Sequence, residues 1–228
     1  MKTKSEKPFF LTPYRVMFFL CVSVLMLIFA NIAEARKWTT ELADGHSDTG
    51  KAPSISVTSA GVPHISYWRR RNIPLPDEMW YATKTGGTWQ TEVPDSLVDS
   101  GYITSILASG GGAGIAYYNS FGGLGYASGS FGSWSSDDIL IDDNIRYVAA
   151  IRMLNSPQTG AIILYRHSTL DLPGGRVSLA YKDGGQWQSR LLSVGELTQS
   201  IDMAIDVAGV IHVVDRKSTR LNSSHRIR

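Results

Sequence analysis

The residues whose types could do chemistry are arginines that stand beside aromatic side chains in two separate stretches of the chain. A guanidinium group can hold a carboxylate or a sulfate with two parallel hydrogen bonds. An aromatic face beside it can serve as a platform for a sugar ring. The pattern therefore predicts a surface that binds an acidic sugar. The candidate ligand-binding residues are Trp68, Arg69, Arg70, Arg71, Arg166, His167 and Arg176.

The three consecutive arginines, Arg69 to Arg71, also have a simpler interpretation. Asp77 and Glu78 follow them closely in the sequence. Opposite charges in an exposed loop pair with one another at little net gain in stability. A solvated, salt-bridged loop is therefore the alternative to a ligand site at this position.

Two histidines and two acidic pairs are candidates for metal binding, and both have structural interpretations. His64 and His212 occupy the same position of a sequence repeat, which favours packing over ligation. The pairs Asp137-Asp138 and Asp142-Asp143 lack the alternation of a calcium-binding loop and are interpreted as exposed turn residues. The sequence contains no phosphate-binding loop, nucleophile elbow or zinc-binding histidine pair. No metal or cofactor is therefore expected, and no catalytic residue is assigned.

A sequence repeat predicts the strands and turns that position these residues. Four tryptophans recur at intervals of 51, 45 and 53 residues, and three of them follow a Tyr-Ala or Leu-Ala pair. Each unit contains four short runs with alternating apolar residues, which is the pattern of half-buried strands. Glycines between the runs permit the positive φ angles of tight turns. The recurring residues are Trp38, Trp89, Trp134 and Trp187, with Tyr81, Tyr126 and Leu179 eight residues before the last three.

A unit of roughly 45–53 residues with four short strands is typical of a propeller blade. The predicted fold is all-β, an incomplete β-propeller of about three to four four-stranded blades, and a β-sandwich is the alternative. The full blades are predicted at about 54–93, 103–140 and 148–192, and the next begins at 201–214. Trp38 to Leu42 matches an outermost strand. Loops after the second and fourth strands of a propeller blade share one face, so we expect the candidate arginines around a channel mouth.

The turn between the third and fourth strands carries a family resemblance. Ala82 to Trp89 reads ATKTGGTW, Ala127 to Trp134 reads ASGSFGSW, and Ala180 to Trp187 reads AYKDGGQW. These units resemble the degenerate, Asp-box-like repeats of secreted bacterial β-propellers in the neighbourhood of the sialidases. In a sialidase-like enzyme, the resemblance implies an arginine triad from separate blades, an acid and a Tyr–Glu pair. The positions of Arg69 and Arg166 are comparable, and the rest of such a set cannot be assigned.

The N-terminal stretch, Met1 to Ala35, has the pattern of an export signal. It has a basic start, the apolar run Val16 to Ala30, and the small-x-small sequence Ala33-Glu34-Ala35. The run is short for a membrane span, so cleavage after Ala35 is predicted, with an uncleaved anchor as the alternative. The only cysteine, Cys21, lies within this run. The mature protein would therefore contain no cysteine, as suits an exported protein stabilised by its core.

The C-terminal stretch from Asp215 to His225 reads DRKSTRLNSSH, which resembles the translation of a common short-read sequencing adapter. Residues 215–228 are therefore interpreted as a non-native tail. The chain has a formal net charge of +2, but residues 36–214 hold 13 basic and 17 acidic residues, a net charge of −4. Nucleic acid is therefore not an expected partner.

These features together predict an exported binding module that recognises a glycan or an exported or surface protein through loops at a channel mouth. The expected location is the periplasm, the cell surface or the medium, and membrane contact is expected only through an uncleaved signal. A sialidase-like hydrolase, truncated before its full catalytic set, is the alternative.

Overall fold

The computed structural model describes residues 38–71, 75–96, 100–119, 123–140, 145–157, 159–169, 175–194, 198–217 and 221–227. The chain divides into two units, Met1–Glu41 and Leu42–Arg228. The predicted signal peptide lies outside the described residues. Within the described part of the chain, no helix has the length and hydropathy needed to cross a membrane.

The described residues of the second unit form antiparallel strands arranged in four sheets. Sheets 1, 2 and 3 have four strands each, β1–β4, β5–β8 and β9–β12, in sequential order, and sheet 4 has three, β13–β15. The strands are β1 (Lys51–Val57), β2 (Pro63–Arg69), β3 (Glu78–Thr85), β4 (Thr88–Glu92), β5 (Ser100–Ser109), β6 (Gly112–Asn119), β7 (Gly123–Ser130), β8 (Ser133–Leu140), β9 (Ile145–Ser156), β10 (Gly160–Thr169), β11 (Arg176–Asp183), β12 (Gln186–Val194), β13 (Thr198–Ile205), β14 (Ile211–Lys217) and β15 (Leu221–Ile227).

The prediction of an all-β chain of repeated four-stranded antiparallel sheets is confirmed, and the arrangement is propeller-like. The outer strand predicted at Trp38 to Leu42 is not formed, and Trp38 is 97% exposed. The predicted tail supplies β15, which pairs with β14. Its proposed origin from an adapter stays a prediction.

The turns between third and fourth strands follow the glycine pattern. Gly86 and Gly87 have φ angles of 60° and 85°, and Gly184 and Gly185 have 55° and 82°. Two consecutive positive φ angles are the requirement of the tight hairpin turn whose twist matches that of its strands. Side chains other than glycine would be strained at both positions, so the Gly-Gly pairs determine where β4 and β12 begin.

The core lies between successive sheets, because each sheet packs one face against the next. Each fully buried aliphatic or aromatic side chain contributes roughly 1.5–3 kcal/mol of hydrophobic stabilisation. Sheets 1 and 2 enclose Met79, Tyr81, Ile106, Ile115 and Tyr117. Sheets 2 and 3 enclose Leu124, Ile139, Val148, Ile151 and Tyr165. Sheets 3 and 4 enclose Leu164, Val177, Leu179, Ile201 and Val213.

The first strands of the sheets are also linked by hydrogen bonds. The amide of Ile106 donates to Oγ of Ser54 at 3.2 Å, and the amide of Met153 donates to Oγ of Ser105 at 3.0 Å. Ser54 and Ser105 stand one residue before Ile55 and Ile106, which pair with Ile65 and Ile115 at the same position of β2 and β6. A serine at the same position of the first strand therefore accepts a hydrogen bond from the next sheet at both of these junctions.

Candidate functional site

The strand pairing brings the start of each first strand and the end of each second strand to one face of the second unit. Lys51 pairs with Trp68, Ser100 with Asn119, and Ile145 with Thr169. Because neighbouring strands are antiparallel, the second and fourth strands of each four-stranded sheet end at the same edge.

Register irregularities recur at this face. The pairing shifts between Lys51 and Ser54 in sheet 1 and between Ser100 and Thr104 in sheet 2. In sheet 3 it shifts at two places between Arg166 and Thr169. Such bulges turn a side chain away from the direction that simple alternation gives it. Tyr102 and Tyr147 stand at these irregular strand starts.

Four aromatic side chains form a continuous series across sheets 1 to 3, which we call the aromatic row. The ring centroids of Trp68 and Tyr102 are 4.8 Å apart, those of Tyr102 and Tyr118 are 5.9 Å apart, and those of Tyr118 and Tyr147 are 6.0 Å apart. The three tyrosines and Ile103 line a cavity of about 410 Å³. The described lining of this cavity is thus mostly aromatic.

A cationic side chain stands at each end of the aromatic row. Nζ of Lys51 lies 5.1 Å from the centre of the Trp68 ring. Arg166 occupies the register position that Trp68 and Tyr118 hold in their own sheets. Burial lowers the pKa of Arg166, and the nearby Tyr147 opposes that shift. Its Nε is buried and has no hydrogen-bond partner among the described residues.

The three consecutive arginines, which form a first cluster with Trp68, make contacts outside the aromatic row. Arg71 donates to Glu78 at 2.5 Å through its guanidinium, as the salt-bridged alternative expects. Arg69 lies over the ring of Trp80, 5.1 Å from its centre. Arg70 is exposed, and its amide donates to a backbone carbonyl. Trp68 is thus the member of this cluster that stands in the aromatic row.

The second cluster of candidates, Arg166, His167 and Arg176, also has only one member beside the aromatic row. His167 is buried, and its Nε2 lies 3.1 Å from Oγ of Ser178. Arg176 pairs with His167 across β10 and β11. Arg166 is therefore the member of this cluster beside the aromatic row.

Three residues of the row, Tyr102, Tyr118 and Tyr147, were missed by sequence reasoning. One signal was available for Tyr118, which follows Tyr117 as Trp68 follows Tyr67 in the repeat. For Tyr102 and Tyr147 the alternation pattern carries no such signal, because the bulges set the direction of both side chains.

The weaker metal candidates have other roles. Nδ1 of His64 lies 2.7 Å from the hydroxyl of Tyr81 in the same sheet, and His64 is buried as the packing interpretation predicts. The packing interpretation is wrong for His212, which is exposed and lies 2.9 Å from Asp206. Asp137 was expected in a turn but lies within β8, where it accepts a hydrogen bond from Lys182 at 3.0 Å. The described residues contain no group of three or more potential metal ligands. The Asp142-Asp143 pair lies outside the described residues.

No protein-family model and no curated protein matches this chain. Among solved structures, the chain is similar to a triple arginine-to-alanine mutant of AofleA from Arthrobotrys oligospora, with a TM-score of 0.54 and 10% identity over 77% of this chain and 53% of that one. A fucose lectin from Kordia zhangzhouensis in complex with methyl-fucoside aligns with a TM-score of 0.43 and 14% identity over 63% of this chain and 99% of that one. The chain thus spans about half the length of AofleA, and the likeness to AofleA is one of fold.

Proposed function

We propose that this protein is an exported glycan-binding module whose ligand lies along the aromatic row. The observation that carries the proposal is the row itself, from Trp68 through Tyr102 and Tyr118 to Tyr147. Rings that present partly exposed faces on the loop side of a propeller-like fold supply large, rigid contact area at low entropic cost. The pyranose ring of a sugar has an apolar face that matches such a platform, and its hydroxyl groups match the phenols.

The cations at the ends of the row favour an acidic sugar. Arg166 is partly desolvated and makes no ion pair among the described residues. A guanidinium in that state gains more from a carboxylate or sulfate than a fully hydrated one, because part of its desolvation is already complete. Lys51 offers a second positive charge beside Trp68.

The binding site is tested by titrating the protein with neutral, uronic acid-containing and sulfated oligosaccharides in a calorimeter. Tyr118→Ala removes the central ring and is expected to weaken binding at least tenfold. The matched control is Phe131→Ala, because Phe131 is an exposed aromatic side chain in the β7–β8 turn, away from the row. Equal affinities for the two variants would contradict the assignment of the site.

The same proposal includes the processing of the chain. Export follows from the signal pattern of residues 1–35, and residues 215–228 are proposed to be non-native. Resequencing the gene beyond Val214 tests the second point directly. A genomic sequence that encodes DRKSTRLNSSH after Val214 would contradict it.

A further inference from the structure

The junction between sheets 1 and 2 contains an indole in a defined socket. Trp134 of sheet 2 packs edge-on against Tyr81 of sheet 1, with ring centroids 4.9 Å apart and an interplanar angle of 71°. Its Nε1 donates a hydrogen bond of 2.7 Å to Glu92, which pairs with Tyr81 across β3 and β4. One tyrosine and one carboxylate of the earlier sheet thus receive a tryptophan of the later sheet.

The junction between sheets 2 and 3 repeats this arrangement with an added cation. Trp187 packs against Tyr126 at 5.0 Å and 67°, and its Nε1 donates to Asp137 at 3.3 Å. Asp137 pairs with Tyr126 across β7 and β8, as Glu92 does with Tyr81. Nζ of Lys182 forms a salt bridge of 3.0 Å with Asp137 and lies 5.1 Å from the Trp187 ring centre. The later sheet therefore supplies an indole and a charge opposite to that of the receiving residue.

The junction between sheets 3 and 4 has different residues at the same two positions. Leu179 stands in the place of the tyrosine and Arg190 in the place of the carboxylate, and the two residues pair across β11 and β12. A cavity of about 540 Å³ lies here, at the opposite end of the strands from the aromatic row. We call it the third socket, and its lining includes Ile162, Leu179, Tyr181, Arg190, Val210 and Ile211.

We propose that the third socket binds a tryptophan side chain carried by an acidic polypeptide segment. The two other junctions show that this register position accepts an indole against the face of the preceding sheet. The lining of the third socket is largely apolar, which suits a flat aromatic group. At the second junction, the positive charge of Lys182 faces the carboxylate of Asp137. Arg190 stands in the place of that carboxylate, so a complementary occupant of the third socket carries a negative charge.

The geometry of sheet 3 specifies the segment further. Lys182 stands five residues before Trp187 and pairs with it across the β11–β12 turn. A glutamate in the place of that lysine would lie near Arg190 when the indole fills the socket. The matched probes are therefore two fluorescently labelled peptides with the sequences EDGGQW and KDGGQW, which differ only in the charge at the first position.

The test measures the binding of both peptides to the full chain by fluorescence polarisation. The acidic peptide is expected to bind about threefold more tightly, since an exposed ion pair adds only modestly to affinity. Arg190→Glu is expected to reverse the order of the two peptides. Arg70→Glu makes the same charge change at an exposed site away from the socket and should leave the order unchanged.

Two further results decide whether the socket itself is the binding site. Leu179→Trp fills the cavity from within and should abolish binding of both peptides, with folding checked by thermal unfolding. Peptides in which alanine replaces tryptophan should not bind. Equal affinities of the acidic and basic peptides, an unchanged order in Arg190→Glu, or no measurable binding of either peptide would overturn the proposal.

Discussion

The hydroxyl of Tyr67 donates a hydrogen bond of 2.7 Å to the carboxylate of Asp44, and Tyr117 makes the same bond to Asp95. Tyr67 and Tyr117 occupy equivalent positions near the ends of β2 and β6. Asp44 and Asp95 each stand six residues after a repeat tryptophan. Each of these two buried phenol groups therefore donates its hydrogen bond to an aspartate that precedes its own sheet in the sequence.

The Asp44 carboxylate should make stability depend on pH in the acid range. Burial alone would raise its pKa, but hydrogen bonds from the His46 amide, Tyr67, the His46 ring and Thr49 outweigh it and lower the pKa to about 2. Since the folded-state pKa lies below the unfolded value of 3.8, this stabilisation is complete above about pH 4 and is lost as the pH falls towards 2. Denaturant unfolding between pH 5 and 2 measures it. Asp44→Asn should make the free energy of unfolding less dependent on pH in this range. An unchanged pH dependence in this variant would contradict the role given to Asp44.

His64 should make stability depend on pH in the neutral range. Burial lowers its pKa below 6.5, so the unfolded chain binds a proton more readily than the folded one. The stabilisation is present above about pH 6.5 and decreases as the pH falls below that value. His64→Gln should reduce the difference in unfolding free energy between pH 7.5 and 5.5. Titration of the His64 ring by NMR at or above the ordinary pKa would refute this explanation.

The indole of Trp134 should contribute strongly to the junction between sheets 1 and 2. Trp134→Ala removes the contact with Tyr81 and the hydrogen bond to Glu92. We expect a loss of about 3 kcal/mol in the free energy of unfolding, measured by urea titration. Trp38→Ala is the matched control, because Trp38 is almost fully exposed, and its loss should stay within about 0.5 kcal/mol. Similar losses in the two variants would contradict the importance of the junction.

The exposed apolar side chains of β1 should make the protein self-associate at high concentration. Ile55 is 64% exposed, although Ile106, Met153 and Met203, at the same position of the other first strands, are 5%, 8% and 8% exposed. Ile55→Lys should reduce association in size-exclusion chromatography with little change in unfolding temperature. Ile106→Lys should instead unfold the chain, because it buries an unpaired charge. Unchanged association in Ile55→Lys would exclude this face.

The sequence predicted those parts of the fold that recur in each repeat. The Trp89, Trp134 and Trp187 spacing and the Gly-Gly turns define the strands, because each depends on local conformation and on burial against a neighbouring sheet. The site was predicted less well. Trp68 and Arg166 were identified, but bulges direct Tyr102 and Tyr147 into the row, and alternation does not show a bulge. Whether Arg71 meets a ligand or Glu78 is decided by three-dimensional packing.

The bonds from Ile106 to Ser54 and from Met153 to Ser105 join each sheet only to its immediate neighbour. Such a chain behaves as a short one-dimensional array, in which the free energy of each unit depends on the units on either side of it. Local opening then begins at the outer sheets and proceeds inward. Amide hydrogen exchange should accordingly be slowest in β6 and β10. The second and third sheets are therefore the parts of the described fold that open last.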